Sequence, residues 1–254
     1  MVSKMGRYLM AGNVRVYYEE YGEGEPLLLM HGGFCTVEIF SRLTPELADH
    51  YKVILPERRG HGRTADVEGP ISYDLMAQDT IAFMEATGIK SAHLVGHSDG
   101  ADVGMLVAMS RPDLVKKFVF ISGNFDVNGL TKETLAFFQS ATPEAFEHVP
   151  ALAKLVEMYK QTTPDGPEHF PIVFEKLKRM MLEEPKIPPQ NLSRITAPTL
   201  VMTGDRDVIT LEHTIQMFRA IPKAQLCIVP GSSHALILEK PLFVAQAILD
   251  FLAD

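Results

Sequence analysis

The chain has 254 residues, 46% of them hydrophobic and 22% charged, with a formal net charge of −8. Those values suit one large α/β domain or two small ones in an ordinary globular protein. The acidic balance, with no basic stripe to meet phosphates, speaks against a nucleic-acid partner.

The run from Met1 to Arg7 has no long apolar stretch behind it, so no leader peptide is expected. No apolar run approaches the roughly 20 residues that cross a bilayer, so no membrane partner is expected either. Asn13 to Tyr21 is rich in Val and Tyr and predicts a strand, followed by a turn at Gly22 to Pro26. Leu27 to Met30 is a continuous apolar run that ends in His31-Gly32-Gly33. Such runs fit strands buried on both faces of a parallel sheet. Val53–Leu55, His93–Val95, Phe118–Ile121, Thr199–Met202 and Leu226–Val229 repeat the pattern. Helical patterns lie between them at Val37–Leu47, Tyr73–Ala86, Ala101–Ser110, Leu211–Ala220 and Leu242–Leu252. Strands alternating with helices predict an α/β fold with a doubly wound, mostly parallel sheet.

The alternation stops between Asn124 and Arg194. Eight prolines, from Pro143 to Pro189, divide that interval into short helical pieces without a convincing strand. Its apolar content predicts a lid of packed helices. The expected organisation is a core domain of residues 1–123 and 195–254 carrying a helical cap of residues 124–194. Cys35 and Cys227 have neither metal-ligand nor redox spacing. A reduced, cytoplasmic setting is the simplest expectation, and no metal or organic cofactor is implied.

The most informative segment is Gly96-His97-Ser98-Asp99-Gly100, set between an apolar run and a helical pattern. Gly-x-Ser-x-Gly in a strand-turn-helix context is a nucleophile elbow. The turn needs small residues on both sides of the serine and aims the first N–H groups of a helix at whatever the serine attacks. A serine hydroxyl needs a base, and the base needs an acid to orient it. On this scaffold the chain order is Ser, Asp or Glu, then His. His234 follows an apolar run and the turn Pro230 to Ser233, so it lies on the loop face where such sheets build sites. His213 in a helical pattern, and His148 and His169 in the insertion, are weaker candidates. His97 is expected to pack beside the elbow.

Three acids compete. Asp207 and Asp205 both follow the strand Thr199 to Met202, and Asp207 is carried further over the site. Asp205 has the alternative role of closing the turn or capping a helix, and Asp126 follows another strand. For the oxyanion hole, one donor is the N–H of Asp99. The other is expected from the loop His31 to Cys35, with Gly33 preferred and Phe34 next. Each such donor is worth ~3 kcal/mol of barrier. Cys35 adjoins this loop, where a buried thiol is a simpler reading than a reactive one.

With these residues assembled, the chain resembles the α/β-hydrolase superfamily along essentially its whole length. The resemblance rests on His31-Gly32-Gly33, Arg59-Gly60-His61-Gly62, Gly96 to Gly100, and Gly204-Asp205-Arg206-Asp207 with His234. It implies an eight-stranded sheet with a cap inserted after the sixth strand, and a catalytic triad of Ser98, Asp207 and His234. The family's acid commonly stands three residues after the strand-ending glycine, which favours Asp207 over Asp205. The family pattern Asp-x-Arg-Gly-x-Gly-x-Ser is represented here with Glu57 and Thr64 at its ends, a departure in a stretch read as structural. Asp99 is a second departure, since many relatives carry Met or Gln there. In the valacyclovir-hydrolase-like branch an aspartate beside the nucleophile helps receive a substrate ammonium group; the plain alternative is a carboxylate favoured at a helix N-terminus. Asp102, one turn on, reads as a helix-surface acid.

The expected activity is hydrolysis of a small carboxylic ester through an acyl-enzyme. Competing readings are carbon–carbon hydrolysis of ring-cleavage dienones, for which the lid offers no convincing arginine pair, and hydrolysis of an amino-acid ester or lactone. A small-molecule receptor on the same fold is the non-enzymatic alternative. Phe34, Phe125, Phe137, Phe138, Met180 and Met181 line an acyl pocket or belong to the core. Oligomeric state is not legible.

Overall fold

A computed structural model describes residues 6–253, so the first five residues of the Met1 to Arg7 run lie outside the described residues. Eight strands form one sheet in the order β1-β2-β4-β3-β5-β6-β7-β8. β1 (Arg7–Ala11) and β2 (Val14–Tyr21) are antiparallel to their neighbours. β3 (Pro26–Met30), β4 (Lys52–Pro56), β5 (Ala92–His97), β6 (Val115–Ile121), β7 (Thr199–Arg206) and β8 (Ala224–Ser233) run parallel.

The central strands are apolar throughout because both faces are covered. Leu28, Met30, Ile54 and Leu94 join one core cluster. Their chain neighbours Leu27, Leu29, Val53 and Val95 join the other. This is the period-two alternation of a strand with two buried faces. One face is packed by α2 (Tyr73–Ala86) and α3 (Asp99–Ser110). The other is packed by the short α1 (Thr44–Ala48) and by the C-terminal α10 (Pro241–Ala253). The pattern at Val37–Leu47 resolves into a 3₁₀ turn at Val37–Phe40 followed by α1, which starts beside Pro45. Proline suits the first turn of a helix, where no N–H is missed.

Between β6 and β7 lie α4 (Lys132–Ser140), α5 (Pro143–His148), α6 (Pro150–Thr162) and α7 (Phe170–Glu183). Pro143 and Pro150 sit at the first positions of α5 and α6, and Thr131 and Thr142 cap α4 and α5 by accepting backbone N–H groups. The helices are tied to the core loop after β4. Asp66 accepts from His169 (2.9 Å) and Lys176 (2.6 Å), and Glu184 accepts the Tyr73 N–H at 3.0 Å. α8 (Leu211–Ala220) and the one-turn α9 (Leu236–Glu239) complete the chain.

This topology places the C-terminal ends of six parallel strands along one edge. His31 to Phe34 follow β3, Glu57 to Arg59 follow β4, and Ser98 follows β5. Ser122 follows β6, Asp207 follows β7 and His234 follows β8. Open parallel sheets build their sites at this edge.

Candidate active site

β5 ends at His97 and α3 starts at Asp99, so one residue makes the turn. Ser98 takes φ 54° and ψ −127°, a conformation strained for a side chain-bearing residue. The flanking glycines explain how the turn closes. A Cβ on Gly96 would lie 2.3 Å from the Gly100 carbonyl oxygen, and one on Gly100 would lie 2.0 Å from the Met30 carbonyl oxygen.

The turn brings the serine to His234. Ser98 Oγ lies 3.0 Å from His234 Nε2, and His234 Nδ1 donates to Asp207 Oδ1 at 2.8 Å. The carboxylate fixes the tautomer, leaving Nε2 free to accept the serine proton. The Asp207 side chain is fully buried, yet three further donors keep it ionised. Ser122 donates to Oδ2 at 2.5 Å and Thr203 to the same oxygen at 2.9 Å, and the Ile209 N–H reaches Oδ1 at 3.2 Å. Burial pushes the Asp207 carboxyl up, but the His234 ring and these donors outweigh it and hold it well below the usual range. For His234, burial favours the neutral ring, and the Asp207 charge and hydrogen bond more than offset that, with Asp99 adding to them. The imidazole therefore sits above its ordinary value.

The rival acids have other work. Asp205 is exposed and accepts the Ser232 N–H at 3.1 Å, bracing the β7 and β8 loops. Asp126 caps a 3₁₀ turn by accepting the Asn128 N–H. His213 is buried against Phe125 and accepts the Phe125 N–H at 3.1 Å. His97 packs beside the elbow and donates from Nε2 to the His234 carbonyl at 2.8 Å, which braces the His234 loop.

Gly33 and Phe34 lie in the loop facing the elbow, and Phe34 has φ 58°. Among the described residues, neither of their N–H groups donates to a backbone carbonyl of the turns and loops. Asp99 meets this loop directly, since a Cβ on Gly33 would lie 2.5 Å from Asp99 Oδ2. Asp99 is buried at 4% exposure; its Oδ1 accepts from the Tyr73 hydroxyl at 2.9 Å, while Oδ2 has no partner among the described residues. Burial pushes its carboxyl up, and the Arg58 charge pulls the other way. Asp102 is not a surface acid. It is 1% exposed, because α3 is covered by the sheet on one side and by the chain leaving β6 on the other, and it accepts the Asn124 N–H at 2.8 Å.

A cavity of about 390 Å³ opens over these groups. Ser98, His234, Asp99, Tyr73 and Asn124 form its floor, and Leu130, Glu133, Thr134, Phe137, Phe138, Leu152 and Met181 come from the insertion. Phe34, Phe125 and Met180 belong to the core instead. Cys35 is buried, and burial with the Asp99 charge beside it pushes its thiol up to about 12, so it is no ready nucleophile. Among the described residues no cluster of His, Cys, Asp or Glu is placed to hold a metal ion, and no helix is long and apolar enough to cross a membrane.

The alpha/beta hydrolase family model matches residues 27–247. The chain belongs to that family. Among the relatives of this hydrolase is a protein of Azorhizobium caulinodans carrying a provisional name as a carbamate hydrolase, 25% identical over 97% of this chain and 98% of its own. Another is the 2-hydroxy-6-oxo-6-phenylhexa-2,4-dienoate hydrolase of Burkholderia cepacia, 27% identical over 95% of this chain and 92% of its own. A meta-cleavage product hydrolase from Pseudomonas fluorescens shares the fold with a TM-score of 0.83, at 22% identity over 98% of each chain.

Several residues of the hydrolase's site escaped the reading of its sequence. Ser122 and Thr203, which hold Asp207, carry no motif; their one signal is their place at the end of apolar runs. Tyr73 and Glu133 reach the cavity from a helix start and from the insertion, and nothing local marks either.

Proposed function

We propose that this hydrolase cleaves small carboxylic esters through an acyl-enzyme. The observation that carries the reading is the hydrogen-bonded series Ser98–His234–Asp207 opening onto a largely apolar cavity. In this reading the Ser98 oxygen attacks the acyl carbon while His234 Nε2 takes its proton. The N–H groups of Gly33 and Asp99, with Phe34 as the alternative loop donor, receive the oxyanion. The tetrahedral intermediate collapses, the alcohol leaves with the proton from His234, and the acyl group stays on Ser98. Water then attacks the acyl carbon as His234 takes its proton, and collapse returns that proton to Ser98 and frees the acid. Asp207 holds the ring and stabilises its charged form.

The charge of the cavity supports an ester over a ring-cleavage dienoate. Two carboxylates, Asp99 and Glu133, line it, and its described lining residues include no lysine or arginine. A substrate carboxylate would be desolvated there without a counter-charge. The free Oδ2 of Asp99 favours the opposite, an ester carrying an amino group that donates to it.

The test is a panel of p-nitrophenyl acetate and butyrate, an amino-acid ester with its desamino counterpart, an aryl carbamate, and a phenylhexadienoate ring-fission product. The expected result is turnover of the esters, with the amino ester ahead of its counterpart by ~10-fold or more, and loss of all turnover in Ser98→Ala. Higher kcat/KM for the dienoate or the carbamate than for every ester would overturn the reading. So would tight ligand binding with no turnover anywhere on the panel, which is the outcome a receptor gives.

A further inference from the structure

Behind the loop of Gly32 and Gly33 lies an arginine that the reaction scheme above leaves unused. Arg58 follows β4 and is 4% exposed. It contrasts with its neighbour Arg59, whose guanidinium is closed in a two-point ion pair with Asp79 at 2.6 and 2.7 Å. Among the described residues Arg58 has no such carboxylate partner. Its Nη2 reaches the Gly32 carbonyl at 3.3 Å, and its Nε and Nη1 have no acceptor among those residues.

The Gly32 carbonyl collects donors. His31 Nε2 accepts the Arg58 backbone N–H at 3.3 Å, so this nitrogen is bare. The ring is fully enclosed and sits beside a cation, which keeps it neutral, so its proton is on Nδ1. Nδ1 then donates to the Gly32 oxygen at 2.8 Å, and the Cys35 N–H approaches the same oxygen at 3.3 Å. One peptide carbonyl is thus gripped by an imidazole, a guanidinium and a backbone N–H.

The other end of that planar trans peptide is the Gly33 N–H. Fixing the carbonyl fixes the direction of the N–H, and donation to the carbonyl polarises the unit so that its N–H donates more strongly. The same glycine also lies against Asp99 Oδ2, a carboxylate whose charge opposes an anion forming nearby. A buried cation left unpaired on the far side of the loop offsets it.

We propose that Arg58 is a positioning residue of the oxyanion hole: it clamps the Gly32–Gly33 peptide from behind and supplies the positive charge that lets an oxyanion form beside Asp99. This deepens the proposed function and rests on Ser98 and the Gly33 N–H acting as described there. Arg58 itself touches no substrate, and its effect is confined to species that carry the oxyanion.

The experiment compares wild type, Arg58→Lys, Arg58→Met and Ser98→Ala in full-length protein, each checked for folding by circular dichroism and thermal melting. Two readouts are taken: kcat and KM for p-nitrophenyl butyrate, and the affinity for phenylboronic acid, which adds to a serine oxygen as a tetrahedral anion. The expected result for Arg58→Met is a ~30–100-fold fall in kcat with KM within ~3-fold, and a parallel ~30–100-fold loss of boronate affinity. Arg58→Lys, which keeps the charge without the planar fork, is expected to fall between. If Arg58→Met does not fold, a loss in both readouts of ~5-fold or more in Arg58→Lys supports the proposal, and a smaller loss overturns it. A fall in kcat with boronate affinity held at the wild-type value overturns it, because that pattern belongs to a general loosening of the loop. Boronate binding needs no turnover. Boronate binding that depends on Ser98, in a wild-type protein without esterase activity, would therefore break the ester reading, and the boronate ratio alone would decide on Arg58. Absence of such binding in wild type would overturn both.

Discussion

Two buried carboxylates flank the Ser98–His234 contact, and the protein treats them in opposite ways. Asp207, on the far side of the histidine, is met by His234, Ser122, Thr203 and the Ile209 N–H. Asp99, on the cavity side, is met by Tyr73 and keeps one oxygen without a protein partner. The first is held well below the usual carboxylate range, and burial pushes the second up from its ordinary value. A carboxylate that only has to hold a ring is fully satisfied by its own fold. One that faces a cavity retains a bonding capacity that something entering the cavity can use. In the proposed reaction the difference separates the acid that holds His234 from an acid suited to selecting a substrate, although both are aspartates at the same sheet edge.

The largest test of that division removes each charge in turn. Asp207→Asn is expected to cost ~10⁴-fold in kcat, because an amide no longer holds the productive tautomer. Asp99→Asn is expected to act on selectivity instead, cutting the preference for an amino ester over its desamino counterpart by ~10-fold or more. Steady-state kinetics on the substrate pair decide it. A kcat loss for Asp99→Asn as deep as that for Asp207→Asn, with selectivity kept, would erase the distinction.

A pH profile sharpens the Asp207 side. The base form of His234 is the neutral ring, and the Asp207 charge favours the protonated one, so kcat/KM is expected to rise with pH through a midpoint above 6.5. An unperturbed imidazole titrates near ~6.5; the buried carboxylate beside the ring is the reason for the difference. A midpoint at or below 6.5 would contradict the electrostatic account of the pair.

Ser122 offers a smaller step in the same direction. Ser122→Ala removes one of the two hydroxyls on Asp207 Oδ2 and leaves Thr203 in place. The expected cost is about 1–2 kcal/mol of stability near pH 7, or roughly 2–8 °C in melting temperature for a chain of this size. Asp207 has a folded value below its unfolded one, so its contribution is present above pH ~4 and lost as the pH falls toward the folded value. Both proteins keep Asp207 ionised down to strong acid, so the gap between Ser122→Ala and wild type is expected to hold steady from pH 7 to pH 4 and to fall away when Asp207 carries no charge, as in an Asp207→Asn background. A gap of undiminished size in the Asp207→Asn background would mean that the serine supports the loop and not the charge.

These differences also mark what the sequence could and could not disclose. The parallel strands were legible because burial on both faces leaves continuous apolar runs such as Leu27 to Met30. β1 carries no such run, since Arg7 to Ala11 is an edge strand with mostly exposed side chains. The elbow was legible because sterics at Gly96 and Gly100 permit one residue type. Asp207 stood apart from Asp205 by two residues of reach past the apolar run, and the resemblance to relatives added to that. Asp102 looked like a surface acid because a carboxylate in the first turn of a helix is commonly solvated, and the chain leaving β6, distant in sequence, covers it. Arg58, Tyr73, Ser122 and Glu133 meet the site from four separate segments, so no local pattern joins them.

The smallest expected effect isolates the cavity side. Tyr73→Phe removes the side-chain hydroxyl that donates to Asp99 and changes little else, since the ring stays in the core. Asp99 is already pushed up by burial, and the phenol favours its charged form. Without that donor its carboxyl moves further up, so a larger share is neutral at any given pH. Preference for the amino ester is therefore expected to fall by ~2–5-fold at pH 7. The pH at which half of the preference is lost should also rise relative to wild type. Measuring the amino-to-desamino ratio of kcat/KM from pH 5 to 8 in both proteins checks the direction. A half-loss point that moves down would mean that Tyr73 opposes the Asp99 charge, and the contrast between the two carboxylates would need another cause.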